Sequence, residues 1–319
     1  PRQGSSEPAS LDRPADQALA DFAPGAERTW DKRVLKPIGL VGAVTMGWMD
    51  GRRRVISRGD PWLAVFRYTK CTSCHGLVAE RLPALGSGDG LEPAEVRCGT
   101  CGGFANCFVA IVPRAYVTDF KDHEPGAGDR SGRSTRTTIH APTIKRAVTA
   151  SVGGADIALL RQQHVVRLNH PPGGFRFRRA LHEEVRTRDE ERPLLVAGDG
   201  GQPELRVALA SPKTSDLLSI WGIPRGGVEF LRFDRKAKAT RHRGAWYSAA
   251  TILQRTIALM LDLDSTDIEI ASVHALWDGG QGGLAGSGEL YLADAHPNGS
   301  GVVAWASERW PDVLAACLD

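Results

Sequence analysis

Two short segments, CTSCHG at residues 71–76 and CGTCGG at residues 98–103, carry the most specific pattern in the chain. Each has two cysteines separated by two residues, followed by a glycine two positions later. This spacing lets one tight turn present two thiolates to a single ion, and four thiolates complete the tetrahedral shell that zinc prefers. Because no position is left for a substrate, the pattern predicts a structural zinc site. The predicted ligands are Cys71, Cys74, Cys98 and Cys101.

Two alternatives to zinc are a redox pair and two disulfides. A redox motif would occur singly, and paired disulfides suit a short secreted chain rather than one of 319 residues. The cysteine pattern therefore favours zinc and a reducing compartment.

Composition is that of an ordinary globular protein, with 42% hydrophobic and 24% charged residues. The length suits one large domain or two smaller ones. A formal net charge of +3 does not by itself indicate nucleic-acid binding. The sequence has no apolar run of membrane-helix length and no signal peptide, so we expect a cytoplasmic protein without a membrane partner. The chain begins at Pro1, and we expect it to be part of a longer polypeptide.

Local patterns predict an α+β fold: an antiparallel β-rich body with an inserted four-cysteine zinc module and a C-terminal α/β piece. Apolar residues at helical spacing predict one long helix at residues 246–261. Alternation and turn signals predict strands at 149–152, 164–168, 174–178, 205–210, 228–233, 268–273 and 289–295. The segment TSDLLSI, residues 214–220, is ambiguous between strand and turn.

The expected divisions of the chain follow these patterns. They are residues 1–62 with a helix and a strand pair, 63–120 with the zinc module and the next strand, 121–147 as loop or linker, and 148–319 as the β-rich body with its C-terminal α/β region. A proline at position 113 predicts a bend or an edge in the strand that follows the second cysteine turn.

Two basic clusters are candidates for contact with phosphates. FRFRR at residues 175–179 alternates, so that its first two arginines share one face of a strand, and RKAKATRHR occupies residues 235–243. Because arginine forks match phosphate oxygens, both clusters predict contact with a nucleic-acid backbone. A solvated surface is the alternative. The predicted nucleic-acid-binding residues are Arg114, Arg176, Arg178, Arg179, Lys236, Lys238, Arg241 and Arg243.

The turn HPNGSG at residues 296–301 follows a predicted strand and precedes a predicted helix. Free amides and the helix dipole would hold a phosphate there, at Asn298, Gly299, Ser300 and Gly301. A tight structural turn is the alternative.

A different class of function, a nuclease or hydrolase, would use Asp294 and His296 beside this turn as acid and base. The sequence shows no nucleophile or carboxylate cluster to accompany them.

Several stretches, in the same order, resemble the zinc-binding domain that follows the motor in MrfA-type DNA-repair helicases and its relative DrmB in the DISARM anti-phage system. The paired cysteine turns resemble the zinc module of that family. The other stretches are ALADFAPGAERTWDKRVLKPIGL (18–40), IVPRAYVTDF (111–120), LNHPPGGFRF (168–177), AWYSAATILQRTIALMLDLDSTDIEI (245–270) and ELYLADAHPNGSG (289–301). The family continues past its last helix into another cysteine cluster, which this sequence does not include.

The resemblance implies a non-catalytic accessory subunit that docks on a DNA helicase, a DrmA-like motor in phage defence, and helps to bind or load DNA. The sequence has no Gly-x-x-x-x-Gly-Lys-Ser/Thr loop, so motor activity is expected in a partner. This favours a stand-alone DrmB-like subunit over its alternative, the C-terminal part of a fused MrfA-type repair helicase.

Overall fold

The computed structural model describes residues 12–30, 33–49, 52–72, 76–85, 94–99, 102–118, 138–141, 148–152, 154–179, 194–196, 205–222, 239–277 and 284–318. The predicted strand at 228–233 and most of the predicted linker at 121–147 lie outside these residues, as do Cys74, Cys101, Lys236 and Lys238. The described part of the chain is mostly β-sheet with a few helices, which confirms the predicted β-rich α+β class.

Four α-helices and nineteen strands are formed by the described residues. The helices are α1 (Ala15–Asp21), α2 (Ala239–Met260), α3 (Val302–Glu308) and α4 (Trp310–Ala316). The first ten strands are β1 (Arg28–Trp30), β2 (Arg33–Leu35), β3 (Pro37–Val41), β4 (Ala43–Met49), β5 (Arg52–Arg58), β6 (Trp62–Cys71), β7 (Leu77–Leu82), β8 (Ala94–Arg97), β9 (Phe104–Pro113) and β10 (Ala115–Thr118). The others are β11 (Thr138–His140), β12 (Ala150–Val152), β13 (Ala155–Asn169), β14 (Phe175–Arg179), β15 (Leu194–Val196), β16 (Leu205–Gly222), β17 (Ile268–Ile270), β18 (His274–Trp277) and β19 (Leu284–Asp294).

The 18-residue strand β16 is the centre of a sheet to which fifteen of the described strands belong. Along one edge it pairs antiparallel with β14 and then with β13. Along the other edge it pairs parallel with β9 and then antiparallel with β19. Every residue from Ser215 to Gly222 is buried, so both faces of β16 are covered there. The ambiguous segment TSDLLSI is therefore a fully buried strand, whose side chains do not alternate because both faces need apolar or hydrogen-bonded residues.

One part of this sheet returns on itself. Strands β10, β3, β15, β14, β16 and β9 are neighbours in that order, and Arg114 alone separates β9 from β10 along the chain. The bend predicted at Pro113 is this connection. The strands enclose a core that includes Leu40, Ile111, Phe177 and Leu209, with Leu19 of α1 packed into it.

The opposite face of β9 and β16 is strongly curved. Its floor is formed by three small residues, Ala110, Ala208 and Ala210, all buried. Strands β6 and β13 are separated in the sheet by β9 and β16, yet Tyr68 Oη of β6 lies 3.2 Å from His164 Nε2 of β13. Side chains three strands apart meet in this way only when the sheet curls and the floor between them is narrow.

The C-terminal elements pack against the other end of the sheet. The predicted long helix is confirmed as α2, although it begins at Ala239, before the apolar stripe starts. Trp246, Leu253 and Ile257 of the predicted stripe are buried, whereas Met260 at the last turn is 38% exposed. Pro311 lies in the first turn of α4, where its missing amide hydrogen costs no helical hydrogen bond. In the described part of the chain, none of the helices is long and apolar enough to cross a membrane.

Enlarging the alanine floor is expected to destabilise the protein. In Ala110→Leu, the added side chain has no room beneath Tyr68 and His164, so we expect the free energy of unfolding to fall by about 1–3 kcal/mol. Urea unfolding followed by circular dichroism measures the change. Ala315→Leu, at an exposed position of α4, is the matched control and should stay within about 0.5 kcal/mol of the parent. Equal stability of the two variants would contradict the tight curvature.

Candidate nucleic-acid interface

Two arginines face each other across strands β14 and β16. Arg176 is in direct register with Arg206, and both lie on the sheet face opposite the enclosed core that Phe175 and Phe177 enter. Arg176 is exposed and Arg206 is half-buried. The Nε atom of Arg206 is buried and has no hydrogen-bond partner among the described residues. Like charges directly opposite in a sheet destabilise it, so this pair is a place where a bound anion would be favourable.

Other cations of the sheet are neutralised within the protein. Arg161 Nη1 lies 2.7 Å from the Asp216 carboxylate. Arg167 and Lys213 share Glu269, at 2.8 and 2.7 Å. Neither Arg176 nor Arg206 has such an acidic partner within the described part of the chain, which distinguishes the pair from these internal ion pairs.

The remaining predicted basic residues are dispersed. Arg178 is half-buried on the same strand face as Arg176, and Arg179 is exposed. Arg114 is exposed at the bend between β9 and β10. Arg241 and Arg243 lie in α2, where Arg243 is close enough to Lys70 of β6 for their charges to interact. The structure therefore brings Arg176 and Arg178 together and places Arg243 beside a lysine that the sequence did not single out.

Arg206 was missed by the sequence analysis. It stands alone in LRVALA, residues 205–210, where one arginine in an apolar strand indicates an edge or a solvated face. Its significance comes from the register with Arg176, which only the pairing of β14 with β16 reveals.

The two cysteine turns have the same local form. The amide of Cys71 donates to the carbonyl of Gly76 at 2.9 Å, and the amide of Cys98 donates to that of Gly103 at 2.8 Å. The turns are adjacent, because both the amide and the hydroxyl of Thr72 donate to the carbonyl of Phe104, at 2.9 and 2.8 Å.

The described cysteines of these turns are buried together. Cys71 is 1% exposed and Cys98 is 9% exposed, and both belong to the core formed with α2 and α4. Among the described residues no group of three or more histidine, cysteine or acidic side chains is placed to hold a metal, and the other two predicted ligands lie outside them. The zinc site accordingly stays a prediction.

The HPNGSG turn holds a carboxylate of the protein itself. Asp294 is fully buried, and its oxygens accept from the amides of Ser300 at 2.7 Å, Gly301 at 2.8 Å and Val303 at 2.9 Å. The amides of the other two predicted residues are also used, since Asn298 donates to the Thr214 carbonyl and Gly299 to the His296 carbonyl. The expectation of amides free to bind phosphate at Asn298, Gly299, Ser300 and Gly301 is thus corrected: in this conformation the side chain of Asp294 occupies the anion position at the start of α3.

A second buried carboxylate lies next to this turn. Asp216 accepts from the amide of Gln162 at 2.9 Å and from Arg161 at 2.7 Å. Burial alone would raise the pKa of Asp216, but these hydrogen bonds outweigh it and hold the pKa below its ordinary value. Gly299, at φ +86°, passes between the two carboxylates, where a Cβ would lie 3.2 Å from both Asp216 Cγ and Asp294 Oδ2. Only glycine fits this backbone conformation and spacing without strain.

The HPNGSG turn also separates Asp294 from His296, the two residues that a nuclease or hydrolase would use as acid and base. Asp294 is sealed from solvent by the turn, whereas the His296 side chain is 68% exposed and its Nε2 lies 3.7 Å from Asp267. The two side chains do not face a common cavity at which a substrate would meet both.

Comparison with models of protein families and with curated proteins gave no match. Among solved structures, the chain is similar to the crystal structure of DUF1998 helicase MrfA bound to DNA, with 9% sequence identity and a TM-score of 0.37. The likeness covers 95% of this chain and 26% of that one, so the chain spans about a quarter of the length of that helicase. A likeness at this level does not establish a shared function.

Removing the Asp294 carboxylate should lower the stability of the protein. Asp294→Ala leaves three amides at the start of α3 without an acceptor, and we expect the free energy of unfolding to fall by about 3 kcal/mol or more. Asp294→Asn keeps one acceptor oxygen and should be less destabilised. Chemical denaturation measures both, with Asp60→Ala at an exposed position as the control. If added phosphate restored the stability of Asp294→Ala, the amides would be shown to accept an external anion once the carboxylate is removed.

Proposed function

We propose that this protein is a non-catalytic subunit that binds nucleic acid through the face carrying Arg176 and Arg206. The observation that carries the proposal is their direct register without a described acidic partner. A phosphate between two guanidinium groups would replace their repulsion with charge-assisted hydrogen bonds. Arg178 extends the same face, so successive phosphates of a backbone would meet successive arginines.

The proposal includes a structural zinc ion held by Cys71, Cys74, Cys98 and Cys101. Its support is the matching hydrogen bond that closes each turn, the tie from Thr72 to Phe104, and the burial of the two described cysteines. Such an ion would stabilise the beginning of β9, whose later residues lie beside the arginine face. A four-thiolate shell supplies no open position, so the ion would take no part in chemistry.

A DNA helicase is the proposed partner, in the manner of a DrmB-like subunit acting with a DrmA-like motor in anti-phage defence. This part of the proposal is supported by the sequence stretches that resemble MrfA-type zinc-binding domains. The nuclease or hydrolase alternative has no comparable support, because Asp294 is engaged by three amides and His296 points to Asp267.

Replacing Arg176 or Arg206 with a neutral residue should lower the affinity for DNA. It should also make that affinity less sensitive to salt concentration. For Arg176→Ala and Arg206→Ala we expect the slope of log K against log salt to become shallower by about 0.7–0.9 for each phosphate that the variant no longer neutralises. Fluorescence anisotropy with a labelled 20-nucleotide strand and its duplex, at several salt concentrations, gives these slopes. Arg255→Ala, exposed on α2, should match the parent. Unchanged slopes in both variants would refute the interface.

The zinc proposal is tested by metal content. We expect about one zinc per chain by plasma mass spectrometry, with unfolding when a strong chelator removes it. Cys98→Ser should lose the metal and stability together. The control is Cys317→Ser, because Cys317 lies near Thr256 at the other end of this core and outside both turns. A parent protein that folds without bound zinc would overturn the proposal.

A further inference from the structure

A row of aromatic rings lies on the same sheet face as the arginine pair. Phe66 and Tyr68 of β6 have ring centroids 5.8 Å apart, and Tyr68 lies 5.9 Å from Phe108 of β9. His170, in the turn between β13 and β14, stacks on Phe108 with centroids 4.1 Å apart and planes 23° from parallel. Tyr68 is buried, Phe66 and Phe108 are half-buried, and His170 is exposed. The outer side of the His170 ring is thus the accessible end of a stack.

Strand register places this stack beside the arginines. Tyr68 pairs with Phe108 across β6 and β9, and Ala110 pairs with Ala208 across β9 and β16. Phe108 and Arg206 each come two residues before those paired alanines, on the same face of neighbouring parallel strands. A row across the sheet therefore runs from Arg176 and Arg206 to Phe108 and Tyr68.

Further positive charge lies close to the His170 end of the stack. Lys70, at the end of β6, lies within electrostatic reach of both Arg243 of α2 and His170. Although the residue as a whole is exposed, burial of the ring face that packs on Phe108, and then the charge of Lys70, lower the pKa of His170 below its ordinary value. Its ring stacks on Phe108 and presents a flat aromatic surface.

We propose that this face binds single-stranded nucleic acid, with a base stacked on His170 and phosphates held by Arg176 and Arg206 and, close to His170, by Lys70. This inference rests on the proposed function and specifies its ligand. A duplex hides its base faces within the stack, whereas an unpaired base exposes one to an aromatic ring. Rings with cations near them can bind both the base and the phosphate of a nucleotide, whereas an acidic protein surface has no base to stack on a ring.

The test measures affinity of the full chain for three labelled probes: a 20-nucleotide thymidine strand, the matching uridine strand and a 20-base-pair duplex. We expect the parent protein to bind both single strands more tightly than the duplex. Comparing its affinities for the thymidine and uridine strands shows whether DNA or RNA is preferred. His170→Ala should weaken strand binding about tenfold, because the ring on which a base stacks is removed, and should leave duplex binding unchanged. His170→Tyr restores a ring and should recover most of the affinity.

His296→Ala removes an exposed histidine outside this face and is the control, and thermal melting verifies that each variant is folded. If the parent binds duplex as tightly as strand, or if His170→Ala binds strand like the parent, the single-strand inference is wrong while the arginine interface stands. If the parent binds none of the probes, the proposed function itself fails.

Discussion

The hydrogen bonding of β16 is the constraint on which the rest of the structure depends. The backbone of this 18-residue strand needs partners on both edges; β14 and β13 supply them along one edge, and β9 and β19 supply them along parts of the other. Because β9 and β19 occupy one edge in succession, the segment with the cysteine turns and the C-terminal segment join the same sheet. The curvature that follows brings His164 of β13 to Tyr68 of β6 and thereby shapes the aromatic face.

The buried carboxylates and the arginine pair differ in whether the protein itself compensates their charge. The buried carboxylates of Asp216 and Asp294 are satisfied by amides and by Arg161: Asp294 accepts from the HPNGSG turn, and Asp216 of β16 accepts from Arg161 and Gln162 of β13. Arg176 and Arg206 have no such internal compensation among the described residues. A sheet tolerates a like-charge pair at its surface at some cost in stability, and a ligand phosphate would remove that cost.

Elements that follow from short-range sequence patterns were predicted correctly. Helical spacing located α2, alternation located β14 and part of β16, and Pro113 marked the bend before β10. The beginning of α2 and the lengths of β13 and β16 were not predicted. In β16, residues 215–222 are all buried, and fully buried strands lack the alternation from which strands are identified.

The sequence by itself determined the presence of several elements, the alternation that sets Arg176 apart from Phe177, and the spacing of the paired cysteines, because each depends on residues close together in the chain. It did not reveal that Asp294 fills the anion position of its own turn or that Arg206 lies opposite Arg176. Nor did it place His170 on Phe108, 62 residues away in the chain. Those juxtapositions arise from strand order and sheet curvature. Only the tertiary structure decides them, since the pairing of distant strands leaves no local trace in the chain.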